Sequence, residues 1–257
     1  MNPFLSRMAW RDSRSSRRRL LVFSISITLG IAALVSIGSF RASLSQAIED
    51  QARTLVGADL IVESSRAFTP EDEALLKSLG APQAREVRFR TMAVFPAGGG
   101  TRLISARALG GDFPFYGPME TAPASAAQDF RGGGRAVVDE SLLVQFHAQP
   151  GDKITIGEEE FTIAGALKKM PGEASAAGSF APRVYFPLQD LAATQLLKPG
   201  SISRYRNYVK FEPGVDAEKR MVVIGPQLKR AGLEFDTVAS RKKDLGNALE
   251  NLYRFLN

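Results

Sequence analysis

The longest run of apolar positions is Leu20 to Phe40, LLVFSISITLGIAALVSIGSF, 21 residues without a charged side chain. As an α-helix it would be about 31 Å long at 1.5 Å per residue, the thickness of a bilayer's hydrocarbon core. Twelve of these residues are Leu, Ile, Val or Phe. At roughly −0.3 to −0.6 kcal/mol each they favour insertion by about 4 to 7 kcal/mol, partly offset by Ser, Thr and Gly; an arginine at Ala32 would remove about 3 kcal/mol of that. The pattern predicts one transmembrane helix over 20–40. Ser24, Thr28, Ala32 and Ser36 recur within it every four residues. Such a stripe of small or hydroxylated side chains suits close packing against other membrane helices, although a moderately apolar helix also contains such residues by chance.

Beyond Phe40 the apolar positions Leu44, Ile48, Ala52 and Leu55 keep helical spacing up to Gly57, which predicts a helical stalk over 41–57. A domain over 58–238 follows, in which short alternating runs and helical runs succeed one another. Asp59 to Glu63 reads as a strand. Thr69-Pro70-Glu71-Asp72 reads as a helix start, with Thr as N-cap, Pro in the first position and acids in the first turn, the helix running to about Leu79. Arg85 to Phe95 and Arg102 to Leu109 form a hairpin through Gly98-Gly99-Gly100. Ala122 to Gly134, small and glycine-rich, reads as an exposed connection. Ala136-Val137-Val138 is a strand, and Asp139 caps a short helix to about Gln149. Lys153 to Ile156 and Glu160 to Gly165 pair through Gly157-Glu158. Met170 to Gly178 is a loop. Strands over 183–186 and 207–211 flank a helix at about 188–197, and a helix over 216–231 precedes a last strand over 234–238. The tail 239–257 is an amphipathic helix with Leu245, Leu249, Leu252 and Phe255/Leu256 on one face. Mixed order with several hairpins predicts an α+β fold rather than a regular βαβ repeat.

Charge settles the orientation. Residues 1–19 hold six arginines, Arg7, Arg11, Arg14, Arg17, Arg18 and Arg19, against one acid, Asp12. Removing these from the totals of 33 basic and 27 acidic residues leaves 27 and 26, so the body is nearly neutral and the net +6 is a tail. Arg14, Arg17, Arg18 and Arg19 before the apolar run, with only Arg41 close behind it, keep the N-terminus in the cytoplasm and send the rest across by the positive-inside rule. A cleaved signal peptide is the competing reading. The apolar run exceeds the 7–15 residues of a signal core, which favours an anchor. The basic tail is not a nucleic-acid signature: single-strand binding wants aromatics among the basic groups, and Trp10 stands alone.

Catalytic chemistry finds few residues to use. The chain has no cysteine and one histidine, His147, whereas triads and most catalytic zinc sites need histidine with partners. No nucleophile elbow G-x-S-x-G and no G-x-x-x-x-G-K-[ST] phosphate loop occurs. Glu158 to Glu160 fall at a hairpin tip and read as solvated surface rather than a metal site. No catalytic residue, cofactor or metal is expected.

Met8-Ala9-Trp10-Arg11-Asp12, the cluster Arg17 to Arg19, the run to Ser36 with Leu29-Gly30 inside it, and Leu55-Val56-Gly57-Ala58-Asp59-Leu60 resemble the opening of an ABC-transporter permease of the MacB/FtsX superfamily, YbbP-like in type. Ala136 to Ser141, with Gly151-Asp152 before the hairpin, is similar to the MacB-type periplasmic core domain. The resemblance implies a bacterial inner-membrane permease subunit without its own ATPase, partnered by an ABC ATP-binding subunit, by membrane lipid, by the permease's other transmembrane helices, and by a periplasmic substrate or accessory protein. It also implies that ATP-driven closure becomes periplasmic movement, extracting or exporting lipoprotein, lipid or other hydrophobic cargo. The family pattern has a second span where this sequence stops, at Asn257, so the chain reads as a partial one, the tail 239–257 leading toward that span. A single-pass, membrane-anchored periplasmic binding or adaptor domain without transport activity is the alternative.

Overall fold

The structure, a computed structural model, describes residues 21–40, 43, 52–54, 56–80, 82–172, 181–198, 200–241 and 243. The basic leader with Arg14, Arg17, Arg18 and Arg19, most of the predicted stalk and most of the amphipathic tail lie outside the described residues. The chain divides into two units, 1–51 and 52–257. In the first, helix α1 (Leu21–Phe40) has a mean hydropathy of 2.2 and buries none of its residues, so its apolar surface is exposed all round.

The second unit begins with helical residues 52–54, stopped at Gly57, whose N–H donates to the Arg53 carbonyl at 2.7 Å and whose φ is +77°. Its elements are β1 (Leu60–Ser64), α2 (Pro70–Lys77), β2 (Gln83–Phe95), β3 (Gly100–Gly110), β4 (Glu120–Ala122), α3 (Ala126–Asp129), β5 (Arg135–Asp139), α4 (Glu140–Phe146), β6 (Lys153–Ile156), β7 (Glu159–Lys169), β8 (Arg183–Pro187), β9 (Ser203–Val209), α5 (Ala217–Arg230) and β10 (Glu234–Thr237). Three helix starts follow from local chemistry. Thr69 forms a reciprocal capping box with Asp72, and the Asp139 and Asp216 carboxylates accept the first free N–H groups of α4 and α5.

Strands β10-β1-β9-β2 lie side by side, every neighbour antiparallel. Since β1-α2-β2 and β9-α5-β10 each straddle the other's first strand, they are two interleaved split βαβ units. Helices α2 and α5 cover one face of this sheet, burying Leu60, Val62, Leu76, Val209, Met221 and Leu228. Everything between β2 and β9 is an insertion, and it closes on itself. Strand β3 pairs with β8, β8 with β5, β5 with β7, β7 with β6, and β6 returns to β2 through Ala93↔Ile156 and Val94↔Thr155. The result is a six-stranded barrel, which leaves no free edge among those strands. The 13-residue β2 makes this possible because its first half pairs with β9 and its last residues pair with β6.

The barrel interior holds Phe89, Phe95, Ile104, Ile154, Phe161 and Phe186, and α4 plugs one end with Leu142 and Phe146. Phe146 stacks on Phe95 at 4.4 Å between ring centroids. The glycines of the β2–β3 turn serve this contact: a Cβ on Gly98 would stand 2.8 Å from the Phe146 Cβ, and one on Gly100 would meet its ring.

Three expectations are corrected. Residues 122–134 are not an exposed connection. They hold the end of β4, α3 and a 3₁₀ turn at Phe130–Gly132, with Ala126 and Phe130 fully buried. Those two side chains join Val137, Leu167 and Tyr185 in a core on the outer wall of the barrel, a surface whose apolar residues need a cover. Residues 188–197 form a 3₁₀ turn, Leu188–Asp190, followed by further turns instead of an α-helix. Their polar groups serve neighbours: Asp190 accepts the Gly134 N–H and the Thr194 carbonyl accepts that of Glu158. Finally, β9 covers 203–209, N-terminal of the expected 207–211, because it spans both β1 and β2.

Candidate functional site

On α1, Ser24, Thr28, Ala32 and Ser36 are all exposed. The Thr28 hydroxyl donates to the Ser24 carbonyl at 2.8 Å and Ser26 to Val22 at 2.9 Å, the i−4 back-bond common for hydroxyls in apolar helices. With its proton used inside the helix, Thr28 offers a neighbour small size more than a hydrogen bond. His147 is the exposed C-cap of α4 in the left-handed conformation, φ 51°. At the hairpin tip Glu160 pairs with Lys153 at 3.3 Å, both half-exposed.

The chemistry concentrates on the face of β1, β9, β2, β3 and β8 that points away from α2, α5 and the barrel interior. In register, Glu63 stands opposite Arg206, and Arg206 opposite Glu86. One row further, Arg204 stands opposite Arg88, Arg88 opposite Arg107, and Arg107 opposite Tyr185. Beyond these lie Arg90 opposite Ser105, then Met92 opposite Leu103. Along β2, therefore, one face reads acid, cation, cation, apolar.

Glu86 is 2% exposed and accepts hydrogen bonds from Arg107 Nη1 at 3.1 Å, Arg88 Nη2 at 3.3 Å and the Tyr208 hydroxyl at 2.5 Å. Burial alone would raise its pKa, but Arg88, Arg107, Arg206 and the Tyr208 hydroxyl outweigh it and hold the carboxyl at about 2. Burial and the Glu86 charge push the Tyr208 hydroxyl in the opposite direction, upward. Glu63 binds Arg206 Nε at 2.5 Å and Arg204 Nη1 at 2.9 Å. Arg183 and Asp139 add a buried pair at 3.3 Å.

This ionic layer floors a cleft of about 760 Å³ whose lining includes Arg88, Arg90, Arg204, Leu196, Leu197 and Ile202. Sequence reasoning missed it. The available signal was Glu86-Val87-Arg88-Phe89-Arg90, which alternates charge with buried apolar residues, and Arg204 and Arg206 at the same period in β9. Alternation predicted the strand, but nothing local says that the charged face meets other charged faces.

A second polar joint ties the start of the unit together. Asp59 accepts from the Tyr116 hydroxyl at 2.6 Å and the Phe211 N–H at 2.9 Å, and stands 3.6 Å from Arg53 Nε in the helical residues before β1.

An N-terminal helix long and apolar enough to cross a membrane, followed by an α+β domain of split βαβ units with an inserted barrel, defines the class of fold. The family model of the MacB-like periplasmic core domain matches residues 21–221, and the chain belongs to that family. Over 257 residues it is 25% identical to the uncharacterized ABC transporter permease YbbP of Escherichia coli, an alignment that takes in 98% of this chain and 30% of that relative's length. Among solved structures it is similar to the periplasmic region of MacB from Actinobacillus actinomycetemcomitans (12% identity, 75% of this chain and 94% of that one, TM-score 0.44). It is also similar to the extracellular domain of the ABC-type transporter YknZ from Gram-positive bacteria (11% identity, 69% and 98%, TM-score 0.41).

Proposed function

We propose that this chain belongs to the permease subunit of an ABC transporter in the bacterial inner membrane. A separate ATP-binding subunit hydrolyses ATP, and the domain 58–238 moves in the periplasm to extract or export lipoprotein, lipid or other hydrophobic cargo. One observation carries the reading: the family match starts inside the apolar helix, at residue 21, and runs through the α+β domain to residue 221 as one unit. The Asp59 joint suits such coupling. Force arriving through residues 52–54 reaches β1, the end of β9 and the Tyr116 segment through one carboxylate. The test is purification of the full-length gene product from its native membranes. An ATP-binding subunit should copurify in stoichiometric amount; its absence overturns the reading.

Orientation is a separate prediction. These 257 residues hold no cysteine, so single reporters placed in this chain label without background from it. Trp10→Cys should resist a membrane-impermeant maleimide in intact spheroplasts, while Pro150→Cys reacts. Labelling of both, or of Trp10→Cys alone, contradicts a cytoplasmic N-terminus set by Arg14, Arg17, Arg18 and Arg19.

The stripe Ser24, Thr28, Ala32 and Ser36 is the proposed packing face toward other membrane helices. Ser24→Leu with Ala32→Leu should leave insertion intact, since leucine favours the bilayer, yet weaken assembly several-fold by native gel. Unchanged assembly disposes of the stripe.

A further inference from the structure

The cleft on the charged sheet face has a composition that permease function does not require. Arg204 shares the Glu63 carboxylate with Arg206, which also faces Glu86, and Arg90, exposed at the mouth, has no ion pair among the described residues. Arg88 is three-quarters buried, and its Nε lacks a hydrogen-bond partner among the described residues. Positive charge is thus left over in a concave site with low-dielectric walls, the arrangement that focuses a field on an incoming anion. Guanidinium groups pair with phosphate through two parallel N–H···O bonds, and Arg88 and Arg204 stand directly opposite each other on β2 and β9.

The other wall is apolar. Leu196, Leu197 and Ile202 line it, and Ile202 is 95% exposed. Past Arg90 the same face of β2 and β3 continues into Met92, Val94 and Leu103, each 41–49% exposed. Side chains of this size left in water beside a cationic cleft call for an apolar partner. The geometry points to a binding site for a phosphate-headed amphiphile, its head held by Arg88, Arg90 and Arg204 and its chain laid along Ile202, Met92 and Leu103. A carboxylate head binds more weakly, since it brings one charge to a site with more than one to offer.

As a statement about cargo this rests on the permease reading; as a statement about binding it does not, and the two fail separately. The full chain in phosphatidylcholine nanodiscs is titrated calorimetrically with hexyl phosphate, hexanoate and inorganic phosphate, with empty nanodiscs as blank. Hexyl phosphate should bind at least tenfold more tightly than either of the others. Arg90→Glu, which breaks no ion pair or side-chain hydrogen bond among the described residues, should weaken it tenfold or more. Met92→Ser with Ile202→Ser should bring hexyl phosphate to the level of inorganic phosphate while leaving the latter unchanged. Overturning results are equal binding of hexyl and inorganic phosphate, Arg90→Glu binding as the parent does, or no binding of hexyl phosphate. A chain that binds hexyl phosphate through Arg90 but copurifies with no ATP-binding subunit would retain the site and lose the transporter.

Discussion

Glu86→Gln should destabilise the domain by about 3–5 kcal/mol, the usual consequence of removing one partner from a buried charge network. For a domain of this size that is a fall in Tm of roughly 10 °C. The substitution keeps the side chain's shape but removes the negative charge that Arg88, Arg107 and Arg206 face, and it turns one of the two oxygens that accept from Arg88, Arg107 and the Tyr208 hydroxyl into an amide donor. The same carboxyl writes a pH signature. Its native pKa of about 2 lies below the ordinary 4.5, so the unfolded chain takes up the proton first as pH falls. The contribution to stability is therefore complete above about pH 4.5 and lost progressively toward pH 2. That interval, at 1.36 kcal/mol per pH unit, is worth about 3 kcal/mol. Denaturant unfolding between pH 6 and 2.5 should show the decline in the parent and a flatter curve in Glu86→Gln. A variant within about 1 kcal/mol of the parent at pH 7 would mean that the layer is surface electrostatics, worth little.

Gly157→Ala should cost about 2–4 kcal/mol, from overpacking of roughly 1–3 kcal/mol and about 1 kcal/mol of left-handed strain. Gly157 turns β6 into β7 with φ +67°, and a Cβ there would run into the Thr194 carbonyl oxygen and stand 2.7 Å from Leu196 Cγ. Thr194 is fully buried and its carbonyl already accepts the Glu158 N–H at 3.1 Å, so neither side can yield freely. Gly80 isolates the two contributions: its φ is also +67°, with nothing within 4 Å of the added carbon. Gly80→Ala should lose only about 1 kcal/mol. If the two variants unfold at the same denaturant concentration, the close approach of the 191–197 segment to the hairpin is wrong. If Gly157→Ala is the more destabilised of the two, hexyl phosphate binding should weaken with it, because Leu196 and Leu197 line the cleft.

Signals that act over a few residues were legible. The capping box at Thr69 needs only Asp72, three positions on, and the β2–β3 and β6–β7 hairpins need only their glycine turns and alternating flanks. The helix over 217–230 follows from its cap Asp216 and its periodicity. Residues 188–197 misled because their apolar spacing is helical, while the Thr194 carbonyl, which a continuing helix would use internally, accepts the N–H of Glu158, distant in sequence, and the Asp190 carboxylate holds Gly134. Residues 122–134 misled because a small-residue composition marks a loop but says nothing about whether Ala126 and Phe130 have a surface to cover.

The amino-acid order by itself determined the apolar helix, since twenty or so uncharged residues fit a bilayer whatever follows them, and it determined the α+β class and most strands and caps, which depend on near neighbours. Only the tertiary structure decided that the insertion closes into a barrel, because closure rests on Ala93 meeting Ile156 across a long stretch of chain. It alone decided that Arg88, Arg204 and Glu86 share one face with Tyr208. Register between strands β2, β3 and β9 sets which charges become neighbours, and a shift of one residue in any of them would turn the arginines to the opposite side.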